Sequence, residues 1–226
     1  NAEGVGSAAT YPFGRGGFEV SKLEEATAKR YLPAAELSKL KSATASNPQC
    51  EYARKLFLFS YYCYGISFID MAMLTTAHIK QMEDGDYIVY KRQKIKRQKG
   101  VKPISIKITP AIRQLIGSLQ AASPTVDDFL LPIVTRSGYT GERLYMHIRT
   151  RYSKYQKYLR LLAEELGIDF HLTSYVSRHT AAMTLQRNHI PREVISQMLG
   201  HADLETTNIY LDSFDNEVIN EAAKVL

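Results

Sequence analysis

Three side chains near the end of the sequence could together carry out chemistry on an oxyanion: Arg178, His201 and Tyr210. An arginine guanidinium can bind two oxygens of one phosphate through parallel hydrogen bonds, and a histidine can add a further donor. A tyrosine hydroxyl can act as a nucleophile that forms a covalent intermediate. Because Tyr210 is one of 15 tyrosines, residue type alone is not informative, and any functional interpretation depends on order and spacing.

The spacing of these residues matches a known signature. Arg178 lies in the segment Leu-Thr-Ser-Tyr-Val-Ser-Arg-His-Thr (172–180), His201 follows it by 23 positions within Leu-Gly-His, and Tyr210 follows His201 by 9. The chain therefore resembles the tyrosine recombinases of the phage integrase type, which run Thr-x-His-x-x-Arg-His-Thr, Leu-Gly-His and a nucleophilic Tyr. Segments 65–72 and 209–214 are similar in detail to integrases of mobile elements from Bacteroides-like bacteria.

This resemblance implies both a fold and an activity. The fold would be α+β, mostly α-helical with a small antiparallel β-sheet. The activity would be site-specific recombination of double-stranded DNA through a covalent 3′-phosphotyrosine, with no cofactor and no metal. Arg178 and His201 would hold the scissile phosphate, and Tyr210 would attack phosphorus. The phosphotyrosine keeps the bond energy, so that a 5′-hydroxyl of another strand can reseal it.

Two positions depart from the family pattern. Tyr175 stands where most members carry the first histidine of the signature; a phenol can donate a hydrogen bond but is a poor general base at neutral pH. We retain Tyr175 as a candidate catalytic residue. Ser67 stands where the family carries its first catalytic arginine, and Tyr64 occupies the position where some relatives carry one instead. Asp70 keeps the acidic position that follows.

A basic segment lies between two predicted strands. Seven of the twelve residues from 91 to 102 are cationic and none is acidic, which is typical of binding to DNA phosphates. In the resembled family a lysine of this hairpin protonates the departing 5′-oxygen, and Lys94 matches that place best. Lys96 and Lys99 are the alternatives, and a solvated loop that binds DNA nonspecifically remains possible for any single lysine. The candidate DNA-binding residues are Lys91, Arg92, Lys96, Arg97, Lys99 and Lys102.

The absence of arginine at position 67 predicts another cation near the phosphate, because a pentacoordinate phosphate carries extra negative charge. Arg92 precedes Lys94 by two residues, so on a regular strand both side chains would leave the same face. Arg54 is the other candidate, although its backbone would lie roughly 15 Å from the vacant position. A long predicted helix is a second candidate DNA-binding face through Arg149, Arg151, Lys154, Lys157 and Arg160.

Hydrophobic periodicity predicts the elements that position these residues. Two short β-type runs are expected at 87–90 and 104–108, with an Asp-Gly turn signal ahead of the first. Proline at first helical positions and glycine after last ones support several helix boundaries. The predicted helices cover about 32–40, 52–64, 68–74, 109–119, 142–166, 174–187, 191–199, 203–211 and 214–225.

Composition sets the expected surroundings of the protein. The 29 Lys and Arg against 23 Asp and Glu give a net charge of +6, which favours a nucleic-acid partner. With only Cys50 and Cys63, a reducing compartment is expected, and we predict the cytoplasm. No run reaches the ~18 apolar residues of a membrane span.

The expected domain organisation is a Gly-rich interdomain linker or arm at 1–30 and a catalytic domain at 31–226. The resemblance implies that an N-terminal core-binding domain, absent from this chain, forms the other half of a clamp. It also implies a homotetramer on DNA that assembles through the C-terminal helix.

Two alternatives use the same residues. One is a non-cleaving DNA-binding module derived from an integrase, suggested by Ser67 and Tyr175. The other is a relaxase like the type IB topoisomerases, which use phosphotyrosine chemistry on one duplex. Covalent attachment to a nicked duplex would separate an enzyme from a binder, and strand exchange would separate a recombinase from a relaxase.

Overall fold

The computed structural model describes residues 31–96 and 99–201, together with Thr207 and Leu211. Over this part, the chain is mostly helical with one small antiparallel sheet, as the resemblance implied. The helices are α1 (Ala34–Ser42), α2 (Pro48–Tyr62), α3 (Phe68–Ala72), α4 (Pro110–Ala122), α5 (Gly141–Glu165), α6 (Ser174–Arg187) and α7 (Arg192–Leu199). The strands are β1 (Ile79–Met82), β2 (Gly85–Tyr90) and β3 (Ile104–Lys107), with a 3-10 turn at Thr76–His78. Apart from Thr207 and Leu211, the helices predicted at 203–211 and 214–225 lie outside the described residues.

Helix α2 forms the centre of the core. Its first turn is capped by Asn47, whose side chain accepts a hydrogen bond from the Gln49 N–H (2.8 Å). Pro48 has no backbone N–H, so no donor at this first helical position is left without an acceptor. The helix therefore starts earlier than the apolar pattern predicted. Leu56, Phe57 and Phe59 are fully buried, and α2 packs against α4, α5 and α6. Each such side chain stabilises the fold by about 1.5–3 kcal/mol, so α2 fixes where the other helices lie.

The sheet has the order β1-β2-β3, with both pairs antiparallel. Ile88 pairs with Ile106, and both side chains are fully buried, which defines the face turned to the core. Strand β1 was not predicted from the sequence. Three of its four residues are exposed, so it lacks the apolar alternation of a half-buried strand and exists by backbone pairing with β2.

A smaller apolar cluster joins α6 to α7. Its buried members are Ala182, Met183, Ile195, Leu199 and Leu211. This cluster sets how the end of α7 lies against α6, and so brings together segments far apart in sequence. Within the described residues, no helix combines the length and apolar character needed to cross a membrane.

The end of α2 lies directly against the backbone of α6 at Gly65. Its φ is +70°, a left-handed conformation that suits glycine. A Cβ atom at this position would also lie 2.6 Å from both Cβ and Cγ of Arg178, which is well inside van der Waals contact. The contact between α2 and α6 therefore depends on the absence of a side chain at position 65.

We predict that Gly65→Ala lowers the free energy of unfolding by about 2–5 kcal/mol, since a left-handed penalty adds to steric overlap. Gly167→Ala is the matched control, because Gly167 also has a positive φ (+61°) but open space at its Cβ position. That variant should lose only about 1–2 kcal/mol. Urea denaturation measures both values, and equal losses would show that contact with Arg178 has no energetic weight.

Candidate active site

The guanidinium of Arg178 is held between the ends of two helices. Nη1 donates a hydrogen bond to the carbonyl of Gly65 (3.0 Å), just after α2, and Nη2 donates to the carbonyl of Leu199, the last residue of α7. The residue is only 5% exposed. Because carbonyls at helix C-termini carry partial negative charge, they both orient and stabilise the cation.

His201 lies against the same guanidinium. Its Nε2 is 2.9 Å from Nη2 of Arg178, and a guanidinium has no acceptor, so Nε2 must accept this hydrogen bond. The Nδ1–H then donates to Oγ1 of Thr207 (2.7 Å), which makes the ring neutral in this arrangement. The structure therefore brings together two residues that the sequence places 23 positions apart.

The position of His201 follows from the end of α7. Gly200 has a φ of +64°, and the His201 N–H donates to the carbonyl of Ser196 (3.0 Å), which closes the helix as a glycine C-cap does. A Cβ atom on Gly200 would lie 2.9 Å from Cγ1 of Ile104, so β3 packs directly on this cap. Arg92 also donates a hydrogen bond to the Gly200 carbonyl (3.1 Å).

Asp70 ties the basic segment to α3. Its carboxylate accepts hydrogen bonds from the Gln93 N–H (2.7 Å) and from Oγ of Ser67 (2.6 Å), and it is 3% exposed. Arg92 and Gln93 therefore anchor the start of the segment at two neighbouring points. Lys94 follows immediately and is exposed to solvent.

This anchoring corrects one expectation. Arg92 and Lys94 do not share the face of a regular strand, because β2 ends at Tyr90 and residues 93–96 form a turn. The chain bends where the Gln93 N–H meets Asp70 instead of a neighbouring strand. Arg92 nevertheless lines the same cavity as Arg178, whereas Lys94 does not line it.

Arg54, the other candidate for a cation near the phosphate, has a structural role instead. It forms a two-point ion pair with Glu51 (2.8 and 2.7 Å) and donates to the Leu40 carbonyl (2.9 Å). It thereby braces α2 against α1 and does not line the cavity.

A cavity of about 480 Å³ opens beside Arg178. Its walls come from the start of α3, one face of α5 and the first turn of α6, with Arg92 from the basic segment. The α5 residues lie at the i, i+3, i+4, i+7 spacing of a single helix face. The lining residues are Gly65, Ser67, Phe68, Ile69, Arg92, Tyr145, Ile148, Arg149, Tyr152, Ser174, Tyr175 and Arg178.

Tyr175 is the second predicted residue that the cavity brings to Arg178. Its side chain is 53% exposed, and its ring meets the ring of His179 edge-on at 4.6 Å between centroids. The phenol is thus able to donate a hydrogen bond to a ligand in the cavity. His179 packs against this ring and does not itself line the cavity.

Two other phenols near the site, the buried Tyr90 and the half-buried Tyr64, are poorly suited to nucleophilic attack. Tyr90 is 5% exposed, and burial together with the nearby charge of Asp70 raises its pKa well above the usual value. Burial likewise raises the pKa of Tyr64. Both hydroxyls therefore remain protonated at neutral pH.

The remaining predicted residues fall in two groups. Lys91, Lys94, Lys96, Lys99 and Lys102 are exposed between β2 and β3. Arg97 and Tyr210 lie outside the described residues. Sequence reasoning named Arg149 only as part of a DNA-binding helix face, and it did not single out Tyr145 or Tyr152 as site residues. The spacing of these three residues reveals a shared face, but nothing in the sequence says that this face meets Arg178.

Comparison with known proteins identifies the family. Residues 30–217 match the model of the phage integrase family. The chain belongs to the phage integrase family. Over 54 residues it is 43% identical to tyrosine recombinase XerD of Halalkalibacterium halodurans, covering 24% of this chain and 18% of the relative. Over 114 residues it is 31% identical to XerC of Rhodospirillum centenum, covering 50% of this chain and 31% of the relative. This integrase-family chain therefore spans less than a third of either curated relative.

Solved structures show the same fold. The XerA recombinase has a TM-score of 0.59 at 23% identity, covering 86% of this chain and 64% of that chain. The Tn1549 transposon integrase in complex with transposon right-end DNA has a TM-score of 0.62 at 12% identity, covering 92% and 70%. The described part of the integrase-family chain thus has the architecture of tyrosine recombinase catalytic domains.

The Asp70 bridge yields a stability prediction for this integrase-family domain. Asp70→Ala should lower the free energy of unfolding by about 1–3 kcal/mol, because the Gln93 N–H loses its acceptor in a buried setting. Asp70→Asn retains one oxygen for that N–H, while its amide can donate to Ser67, so its loss should be smaller. Urea denaturation ranks the two variants, and a larger loss for Asp70→Asn would contradict the assigned hydrogen bonds.

Proposed function

We propose that this chain is the catalytic domain of a site-specific DNA recombinase or integrase that cuts and rejoins strands through a covalent 3′-phosphotyrosine at Tyr210. The observation that carries the proposal is the contact of His201 with Arg178, which lines a cavity, in a chain of the integrase family. A buried cation beside a histidine is a suitable binding site for a phosphate whose negative charge increases during reaction.

Phosphate binding would change the protonation of His201. In the unliganded arrangement Nε2 accepts a hydrogen bond from Arg178, so it has no proton to offer. A phosphate oxygen that enters between them needs donors on both sides. His201 can meet this need by taking up a proton at Nε2, since Nδ1–H already donates to Thr207 and the phosphate favours the imidazolium.

The reaction follows from these donors. The Tyr210 hydroxyl releases its proton to solvent as its oxygen forms a bond to phosphorus, and the bond from phosphorus to the 5′-oxygen breaks. Arg178 and His201 stabilise the negative charge on the non-bridging oxygens, with Tyr175 as a further donor from the cavity wall. Lys94 supplies the proton that the departing 5′-oxygen requires. Attack by a 5′-hydroxyl from another strand reverses the step and completes strand exchange.

Double-stranded DNA is the proposed partner. The XerH recombinase, of similar fold, is bound to its difH substrate, and the Tn1549 integrase is bound to transposon DNA. The exposed lysines between β2 and β3 provide a basic surface for backbone phosphates, joined in the proposal by Arg92 and Arg97. The proposal includes residues 1–30 as an interdomain linker, 31–226 as the catalytic domain, a homotetramer through the C-terminal helix, and action in the cytoplasm.

Tyr210→Phe tests the proposed nucleophile. This variant should form no covalent protein–DNA adduct on a nicked suicide duplex, because the hydroxyl that would attack phosphorus is missing. Its noncovalent affinity should stay within about twofold, because one hydroxyl contributes little beside many phosphate contacts. Denaturing gels measure the adduct, and gel shifts measure affinity.

The parent chain is the positive control for this experiment. An adduct retained by Tyr210→Phe would assign the nucleophile to another residue. DNA binding without any adduct from the parent would instead favour the non-cleaving DNA-binding module, the alternative suggested by Ser67.

Lys94→Ala tests the proposed general acid. Cleavage should slow by about 10²–10⁴-fold, because the 5′-oxygen must leave without a proton. A duplex with sulfur at the 5′-bridging position should restore the rate, since a thiolate is a good leaving group without protonation. Lys96→Ala and Lys99→Ala are matched comparisons from the same segment. If sulfur rescues either of them rather than Lys94→Ala, the general acid has been misassigned.

A further inference from the structure

We propose that Arg149 of α5 is the second guanidinium of this site and binds the scissile phosphate together with Arg178. The proposal rests on the proposed function, since it concerns the same phosphate. Its basis is that Arg149, Arg178 and Ser67 line one cavity.

The side chain at position 67 leaves part of the cavity without a cation. Ser67 caps α3, where its Oγ accepts from the Asp70 N–H (3.2 Å) and donates to the Asp70 carboxylate (2.6 Å). Its hydroxyl is therefore engaged and carries no charge. A phosphate that gains charge during attack needs a further cation on this side, and it must come from another element.

Helix α5 is fastened to the start of α6 in a defined register. The Ser174 N–H donates to Oε1 of Gln156 (2.9 Å), and the Tyr152 hydroxyl lies 3.1 Å from Oγ of Ser174. Arg149 precedes Tyr152 by three residues, and Arg178 follows Ser174 by four, so each lies about one helical turn from the joint. The two guanidinium-bearing side chains therefore line the cavity from adjoining walls.

The same face of α5 covers the start of α3. The ring of Phe68, the residue after Ser67, lies 5.3 Å from the ring of Tyr152 and 5.2 Å from that of Tyr155. Arg149 is one turn from Tyr152 along this face. This packing places the α5 face that carries Arg149 beside the residue that follows Ser67.

The charge of Arg149 is available to a ligand. Its residue is exposed, and within 31–96 and 99–201 no carboxylate forms a salt bridge with it. Arg160 on the same helix lies near Glu164 (3.9 Å), and Arg92 donates to the Gly200 carbonyl. Arg92 therefore braces the cap that positions His201, whereas Arg149 can turn its planar donors to the phosphate.

Single-turnover cleavage of a nicked suicide duplex by the full chain at saturating protein tests the proposal. Arg149→Ala should cleave about 10²–10³-fold more slowly than the parent, with DNA affinity changed by less than about threefold. Arg149→Lys keeps the charge but cannot bind two oxygens at once, so its cleavage rate should lie between the rates of Arg149→Ala and the parent. Arg143→Ala is the control: it removes an exposed arginine of the same helix that does not line this cavity and should cleave like the parent.

A neutral phosphate separates a direct role from a structural one. With a methylphosphonate at the scissile position, one negative charge is absent and one cation fewer is needed. The rate difference between Arg149→Ala and the parent should then shrink to about tenfold or less. A difference that persists would show that Arg149 acts only on the fold, and the proposal would be wrong.

Other outcomes are equally decisive. If Arg149→Ala cleaves like the parent, Arg149 is not a phosphate ligand. If Arg92→Ala shows the slow, methylphosphonate-rescued behaviour and Arg149→Ala does not, the second guanidinium is Arg92. If the parent chain forms no adduct, the proposed function itself is wrong. If the parent cleaves and Arg149→Ala cleaves equally fast, only the role of Arg149 is wrong.

Discussion

The site depends on one buried guanidinium that is oriented by the backbone at the ends of two helices. Arg178 donates to carbonyls that follow α2 and end α7, and these carbonyls are dipoles that hold the cation without cancelling its charge. Such contacts need α2, α6 and α7 to meet within a few ångströms. Gly65 permits the close approach of α2 to α6, and Gly200 permits the packing of β3 on the end of α7. The arrangement around Arg178 therefore depends on both glycines.

Serine at position 67 is integrated into the structure around it. It caps α3 and bonds to Asp70, and Asp70 in turn holds the basic segment through the Gln93 N–H. An arginine introduced here would lose the cap, at a cost of about 1 kcal/mol, and would leave the Asp70 carboxylate without one of its donors. The departure from the family signature is thus coupled to the position of Lys94, which follows Gln93 directly. Because of this coupling, a missing cation is more readily supplied by another element than by an arginine at position 67.

One part of the cavity lining is cationic, and another part is aromatic and apolar. Arg92 and Arg178 lie near the cap of α7, while Tyr145, Ile148 and Tyr152 of α5 contribute aromatic and apolar surface. Charges that border a low-dielectric surface act more strongly on a bound anion than charges in open water. A phosphate at this junction would therefore experience the cations with little screening. The geometry is suited to an anion whose charge increases in the transition state.

The sequence by itself determined the family, most of the helices and the residues of the signature. Ordered motifs at set gaps identified Arg178 and His201, and hydrophobic periodicity with glycine and proline boundaries predicted every described helix, though its starts and ends shifted by several residues at α2. It missed β1, whose residues are mostly exposed and show no alternation, and the strand geometry considered for Arg92 and Lys94 does not occur, because β2 ends at Tyr90. Both errors arise because strand pairing is a contact between distant segments, which a local pattern does not record.

Only the tertiary structure decided which cations line the cavity beside Arg178. Periodicity shows that Tyr145, Arg149 and Tyr152 share a face of α5, but the partner of that face is set by hydrogen bonds to Ser174 and by ring contacts with Phe68. Arg92 and Arg54 were the two candidate replacements in the sequence. Arg54 pairs with Glu51 of its own helix and donates to the Leu40 carbonyl of α1, whereas Arg92 donates to the Gly200 carbonyl at the end of α7. The physical reason is that a charged side chain is directed by its acceptors, and the carbonyls of Leu40 and Gly200 belong to other elements than the arginines that they bind.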